Sequence, residues 1–549
     1  MLRFSSDCLR SGWPAALFLA CNSGCADGST PSGVNPLGAA GQGANSGGST
    51  SAPGNASTAG NASTAGNASS AGSTATTAGG TAMAGRTEMA GSPELVASTA
   101  PAGSLGGAGA GAAGSDTGAA GSAGDSPINI PWDWAGIVGT GQSLSVGEPG
   151  GARGTADGMV KSTTQPFSNL KLTTGNAAWP VDPNNPVLAM AALVEPVGRL
   201  SPAYPSSWPT NIAGETPHSA MANQITTLVK AAGAADYVSV HGAVGENGQC
   251  LSFLVKGAMP TDAMDVRAHA YEGTLVETRA ITRLAQAAGK TYGVGGIIVT
   301  HGECDAGNAS YAAQLHQLWS DYATDLSAIT RQTQPPLLIV SQQNSGTGRA
   351  ASTLAQWRIG VDYPADAVCS GPKYQYRYTS DNVHLVVDGY QQLGEKYAQV
   401  YYERVIRGRD WHPLEPIAVQ RDGRVIRVQF HVPVPPLAWE DTFQAPHRST
   451  LTEWSMGKGF EVRGGAGNLA ISSVEIADDV VNITCAADLP ATGVTVGYAI
   501  TGETPAMTTP FTGTTHWGLL RDSDPFVGST TQKAQPNFAV AFELPVPNG

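Results

Sequence analysis

Four short blocks in this chain, one of them carrying a serine able to do covalent chemistry, follow apolar runs, and a polar loop far downstream is a fifth feature. Ser143 stands in Gly139-Thr140-Gly141-Gln142-Ser143, directly after an apolar run. A serine hydroxyl is a poor nucleophile until a base takes its proton. His384 is a base of the right type, and Asp381 precedes it by three residues. That spacing in a loop can place both side chains on one side, so that the carboxylate holds the imidazole in a single tautomer. The chemistry such a set performs is acyl transfer through an acyl-serine, with backbone N–H groups stabilising the oxyanion. Ser145 is a second hydroxyl in the same turn. The remaining blocks are the glycine-rich turn 242–248, the run His301-Gly302-Glu303-Cys304-Asp305, and Gln342-Gln343-Asn344. Each also has a plain structural reading: a glycine-flanked serine is often only a turn, and Asp381 with His384 can be an ordinary loop pair.

The elements that must position these blocks are legible as apolar periodicity. Runs of strand length at 135–139, 237–241, 295–301 and 336–342 each end in one of the blocks. Between them lie helical patterns at 218–232, 266–288, 310–331 and 386–407, the last two with apolar residues at three- and four-residue spacing. The alternation predicts an α/β fold, a three-layer α/β/α unit with a parallel sheet covered on both faces. In such a sheet the strand ends gather at one edge, which brings the blocks together. Beyond Trp411 short β-type runs at 425–432, 469–476, 480–485, 494–500 and 538–544 alternate with turn residues, predicting an all-β sandwich joined through a linker at 407–416. The expected division is a signal over 1–20, a linker over 21–127, the α/β unit over 128–410 and the sandwich over 411–549.

Composition narrows the partners. A formal net charge of −13 argues against nucleic acid or a polybasic membrane patch. Arg3 and Arg10 precede a short apolar run, and Leu17-Phe18-Leu19-Ala20-Cys21 resembles a bacterial lipoprotein cleavage box. Export is therefore expected, to the cell surface or as a secreted protein, with a lipidated Cys21 as the only membrane link. Residues 27–125 are Gly, Ala, Ser and Thr with almost no large apolar side chains, and they contain a tandem repeat, Gly54-Asn55-Ala56-Ser57-Thr58-Ala59 and Gly60-Asn61-Ala62-Ser63-Thr64-Ala65. Such a segment buries too little surface to offset its ordering entropy and is expected to be a tether. The seven cysteines show no CxxC spacing. Cys250, Cys304, Cys369 and Cys485 could supply one disulfide, whose pairing spacing alone does not reveal. His241, His301 and Glu303 match no metal-ligand pattern, so neither a metal nor a cofactor is expected. His316 is expected to be a packed or surface histidine. Trp439, Trp454 and Trp517 suit either a sandwich core or a sugar-stacking platform.

Taken in order, Gly141-Gln142-Ser143, the turn at Gly245, Gly302-Glu303-Cys304-Asp305 and Asp381-x-x-His384 resemble the blocks of SGNH (GDSL-like) hydrolases. Gly-Gln-Ser and Gly-Glu-x-Asp look most like the sialate O-acetylesterase and acetylxylan esterase branch. The resemblance covers roughly 137–405 and implies Ser143 as nucleophile, His384 as base and Asp381 as its orienting carboxylate. It implies an oxyanion hole from the N–H groups of Ser143 and Gly245. The third block departs from the family: Cys304 replaces an asparagine, and His301 stands where the branch has glutamine. His301 is therefore the candidate side-chain oxyanion donor, and Glu303 the alternative acid. The implied activity is a metal-independent serine esterase removing acetyl or another short acyl group from carbohydrate hydroxyls. Two alternatives stand beside it: a lipase or thioesterase of the same mechanism, and a non-catalytic carbohydrate-binding surface protein on a hydrolase-like scaffold.

Overall fold

The computed structural model describes residues 128–148, 160–173, 182–197, 214–234, 237–259, 268–344, 350–442, 456–465, 467–500 and 517–549. The expected signal, Cys21, the tether and Trp454 lie outside them. In chain order the first half forms β1 (Trp134–Gly141), β2 (Leu170–Thr173), β3 (Ala189–Ala192), α1 (Pro217–Ala231), β4 (Ser239–Ala243), α2 (Ala270–Ala287), β5 (Tyr292–Thr300), α3 (Tyr311–Thr330), β6 (Leu337–Val340), α4 (Ala351–Asp362), β7 (Ala367–Cys369) and α5 (Val387–Tyr401). They build one seven-stranded sheet of order β3-β2-β4-β1-β5-β6-β7, parallel except where β3 pairs antiparallel with β2 at the edge. This is the predicted α/β architecture. Crossing from β4 to β1 and out through β5 reverses the direction of winding, and the C-terminal end of β1 opens at that reversal, where such sheets bind ligands.

Burial on both faces explains why β1 and β5 read as continuous apolar runs rather than alternating ones. Ala135, Ile137 and Ile298 pack with α1 and α5 through Met221, Ile225, Leu393 and Tyr397. Val138, Ile297 and Val299 face the opposite core with Leu275, Leu315 and Leu318 of α2 and α3. The start of α1 follows from its sequence: Thr216 is the N-cap, its side chain accepting the His218 N–H, and Pro217 occupies the first turn. The helix expected at 386–407 is α5 continued by a π-helical turn, Tyr402–Ile406.

The second half is antiparallel. It comprises β8 (Glu415–Asp422), β9 (Val425–His431), β10 (Ala438–Trp439), β11 (Phe460–Gly464), β12 (Gly467–Leu469), β13 (Ile471–Ala477), β14 (Val480–Cys485), β15 (Thr495–Tyr498), β16 (Leu520–Arg521) and β17 (Phe542–Pro545). Two four-stranded sheets, β13-β14-β9-β8 and β12-β11-β15-β17, meet through Phe430, Phe460 and Phe542. Trp439 packs against this core and Trp517 is buried.

The segment expected as a linker is packed: Arg407 and Leu414 are buried, and Glu415 already begins β8. The β-sheets and the α/β unit also share a hydrophobic core. Residues 538–541, expected within a strand, run instead along the α/β unit. Tyr374 Oη donates to the Ala539 carbonyl at 2.7 Å. Gln342, from the end of β6, donates to the Ala541 carbonyl at 2.8 Å and accepts its N–H at 2.7 Å. Glu395 of α5 accepts the N–H groups of Thr530 and Thr531 and the Gln535 side-chain amide. Replacing Gln342 by leucine would strand two buried backbone groups of Ala541, so a loss of roughly 2–5 kcal/mol is expected. Urea unfolding monitored by fluorescence checks this; an unchanged midpoint would show that the pairing contributes nothing.

Candidate active site

β1 ends in a 3-10 turn, Ser143–Ser145, entered through Gln142. The turn is buried, with Ser143 3% exposed. Its two hydroxyls differ in what they touch. Ser145 Oγ donates to the Gln142 carbonyl at 2.6 Å. Among the described residues nothing holds the Ser143 hydroxyl in a hydrogen bond. Gln142 is braced from the third block, its Oε1 accepting the Cys304 N–H at 3.2 Å.

The turn after β4 lies against this one. Val244 N–H donates to the Gly139 carbonyl and Glu246 N–H to the Gly141 carbonyl, both at 2.8 Å. The Gly245 N–H between them has no acceptor among the described residues, and neither has the Ser143 N–H. These are the two donors expected of the oxyanion hole. Only glycine fits at 245, because a Cβ there would lie 2.1 Å from Ser145 Oγ and 2.7 Å from the Gly141 carbonyl oxygen. Glu246 anchors the far side of the turn by accepting the N–H groups of Ala268, His269 and Ala270 at the start of α2.

The loop before α5 is organised around Asp381. Its Oδ1 accepts from Thr379 Oγ1 at 2.7 Å and from the Val383 and His384 N–H groups at 2.9 Å each. Its Oδ2 faces His384 Nδ1 at 2.8 Å. Asn382 takes the left-handed conformation, φ 59°, that this tight loop requires and that asparagine tolerates. Burial alone would raise the Asp381 carboxyl. The hydrogen bond and charge of His384, with the Val383 and His384 N–H groups, outweigh it and hold the carboxyl well below the ordinary carboxylate range. An ionised Asp381 fixes the proton on Nδ1 and leaves the Nε2 lone pair bare. Nε2 is buried and has no protein partner.

Two hydrogen bonds connect the first turn of α5 to the turn that carries Ser143. Tyr390, in the first turn of α5, donates to the Glu148 carbonyl at 2.7 Å, and the Glu148 N–H donates to the Ser143 carbonyl at 3.0 Å.

His301 has a different task from the one expected of it. It is fully buried, with Nδ1 against Tyr311 Oη at 2.8 Å and Nε2 against the Gln249 carbonyl at 3.0 Å. Both ring nitrogens are thus engaged, which leaves neither to donate to an ester oxygen. Burial pushes its pKa down, opposed by the Gln249 carbonyl and by Asp305 and Glu303. Glu303 faces the buried Lys373, Oε1 to Nζ 3.7 Å, while Asp381 occupies the Nδ1 side of His384. Asp305 accepts the Leu251 N–H at 2.8 Å. Cys304 is disulfide-bonded to Cys250, joining the turn after β4 to the loop after β5. Cys369 and Cys485 are free and buried. His241 Nδ1 meets His218 Nδ1 at 3.0 Å beneath β1, and burial lowers the pKa of both rings, that of His218 to about 4. His316 stacks on Tyr363 and bonds Asp366.

Sequence reasoning overlooked the bracing roles of Gln142, Glu246, Thr379 and Tyr390. Only the Thr379 contact, two residues from Asp381, had a local signal.

No protein-family model matches the chain, and no curated protein matches it in sequence. Among solved structures it is similar to a carbohydrate acetylesterase from Xanthomonas citri, with TM-score 0.44 and 12% identity over 75% of this chain and 80% of that one. It is similar also to a protein from Arabidopsis thaliana, TM-score 0.36 and 17% identity, covering 50% of this chain and 100% of that one. A carbohydrate acetylesterase from Sinorhizobium meliloti matches with TM-score 0.25 and 11% identity over 48% of this chain and 97% of its own.

The depressed Asp381 pKa gives a pH signature. A carboxyl whose folded pKa lies below its unfolded value stabilises the fold fully above the unfolded value and loses that contribution as pH falls toward the folded one. Asp381→Asn is therefore expected to melt below wild type by the same margin from pH 7 down to about pH 4, the unfolded aspartate value, with the gap closing at lower pH. Thermal melts across this range test it; a gap that does not narrow under acid would contradict the ionised pairing.

Proposed function

We propose that the protein is a serine esterase that removes acetyl or another short acyl group from carbohydrate hydroxyls. The observation that carries this reading is the Asp381–His384 pair, whose buried Nε2 is left without a protein partner. The helix that follows its loop is hydrogen-bonded through Tyr390 and Glu148 to the turn that presents Ser143.

In the proposed reaction His384 Nε2 takes the Ser143 hydroxyl proton as Oγ attacks the ester carbonyl. The negative charge forms on the carbonyl oxygen, where the Ser143 and Gly245 N–H groups donate to it. Collapse of the tetrahedral adduct breaks the bond to the sugar oxygen, which leaves with the proton from His384. Water, deprotonated by the same nitrogen, then attacks the acyl-serine, releasing the carboxylic acid and restoring Ser143. Asp381 stays ionised throughout and stabilises the imidazolium. The substituted third block is compatible with this scheme. Cys304 contributes a backbone N–H and a cross-link, and His301 supports the Gln249 turn, while the two backbone donors serve the oxyanion.

The acetylated carbohydrate as substrate is part of the proposal and fits an esterase whose structural neighbours include carbohydrate acetylesterases. Wild type, Ser143→Ala and Ser145→Ala are to be compared on acetylated xylan, p-nitrophenyl acetate and p-nitrophenyl decanoate. Ser143→Ala is expected to lower kcat on the acetyl esters by at least about a thousandfold, with Ser145→Ala far less affected. Faster turnover of decanoate than acetate would overturn the short-acyl assignment, and equal activity of Ser143→Ala would overturn the mechanism.

A further inference from the structure

Lys373 and Glu303 form a buried pair that takes no part in the proposed reaction. Lys373 follows β7 and is fully buried, and its Nζ stands 3.7 Å from Oε1 of Glu303 in the third block. That separation is too long for a hydrogen bond. Nζ and both carboxylate oxygens of Glu303 are enclosed and have no hydrogen-bond partner. Burial lowers the pKa of Lys373, and Glu303 opposes that shift. An ion pair of this kind is a poor source of stability, because both charges lose their water and no hydrogen bonds offset the loss. Buried polar groups left in this state call for another explanation.

The place of the pair in the fold supplies one. On the Glu303 side the block closes as a single turn, the Asp305 N–H donating to the Gly302 carbonyl at 3.0 Å, so that Glu303 and Cys304 move together. The Cys304 N–H braces Gln142 Oε1 at 3.2 Å, next to Ser143. On the other side the Lys373 carbonyl accepts Tyr378 Oη at 3.0 Å and the Tyr376 N–H at 3.2 Å. Tyr378 pairs antiparallel with Leu385, the residue after His384, and the Thr379 N–H donates to the His384 carbonyl at 2.8 Å. Thr379 Oγ1 also holds Asp381. The backbone of Lys373 is thus tied to the Asp381–His384 loop, and its side chain to the block that braces the turn carrying Ser143.

Three further contacts of the block run elsewhere. The disulfide to Cys250 and the bond from the Leu251 N–H to Asp305 tie it to the segment after β4, and the Gly302 carbonyl accepts Ser352 Oγ of α4. None of these three reaches the Asp381–His384 loop. Tyr390 and Glu148 connect the helix after that loop to the turn carrying Ser143. The Lys373–Glu303 pair makes a second connection, from the segment before the loop.

We infer that Lys373 is a positioning residue for the ester-cleaving reaction: through its ion pair with Glu303 it holds the Asp381–His384 loop in register with the turn that carries Ser143. The inference rests on the reading of Ser143 as nucleophile and His384 as base. Acyl transfer is sensitive to such register, since a misplacement of about 1 Å can lower the rate about a hundredfold.

The test measures kcat and KM on p-nitrophenyl acetate, together with the melting temperature, for the full chain as wild type, Ser143→Ala, Lys373→Met and Glu303→Leu/Lys373→Met. Lys373→Met leaves Glu303 buried and unpaired, so its melting temperature is expected to fall. The double variant removes both charges, and its melting temperature is expected to return to the wild-type value or above. In both variants kcat is expected to lie at least about tenfold below wild type, with KM within about threefold. A purely structural pair would behave differently in the double variant, kcat returning with the melting temperature, and that result would overturn the inference. So would a loss of kcat below about tenfold in the double variant, a change confined to KM, or a double variant that does not fold. Should Lys373→Met fail to fold, the double variant decides alone. Ser143-dependent turnover by wild type and the double variant alike sinks the inference and leaves the esterase reading standing. Wild-type turnover that does not need Ser143 sinks that reading, and the inference falls with it.

Discussion

The contact between Asp381 Oδ2 and His384 Nδ1, 2.8 Å long, is the constraint on which the rest of the site depends. It sets the tautomer of the ring and leaves Nε2 as the nitrogen without a protein partner. The carboxylate can do this because three other donors, Thr379 Oγ1 and the N–H groups of Val383 and His384, hold its second oxygen. A carboxylate with four donors is oriented as well as ionised. The loop is short, Thr379 and His384 being joined across it by a backbone hydrogen bond, so the geometry is local and needs little help from distant parts of the chain.

Distant parts are needed to bring that loop to Ser143. The work falls on α5, which packs on α1 over one face of the sheet and is gripped from outside by the β-half. Glu395 accepts two backbone N–H groups from that half, and Lys396 donates to the Gln535 carbonyl. Gln342 joins the end of β6 to Ala541. The antiparallel sheets therefore act as a buttress on the helix that follows the Asp381–His384 loop, and the two halves share one core rather than meeting at a hinge.

How much of this could be read from the residues alone depended on range. Strands β1, β4, β5 and β6 were legible because both faces are buried and the apolar runs are unbroken. The edge strands β2 and β3, the three-residue β7 and α4 were not. They are short, and the buried positions of α4 include the polar Ser352, Thr353 and Gln356, which blur its stripe. Asp381 and His384 were legible because their pairing spans three residues. The pairing of His301 with Gln249 spans 52 residues and that of Cys250 with Cys304 spans 54, and no local pattern encodes either. For that reason His301 looked like an oxyanion donor when it is a brace. In the third block Cys304 is committed to a cross-link and His301 to holding the Gln249 turn.

The central claim is that Ser143 carries the acyl group. Peptide mapping by mass spectrometry after treating the protein with a serine-reactive fluorophosphonate tests it most directly. The account predicts a single adduct on Ser143, absent from His384→Ala under the same conditions. An adduct on Ser145, or ester hydrolysis by a protein whose Ser143 remains unlabelled, would contradict it.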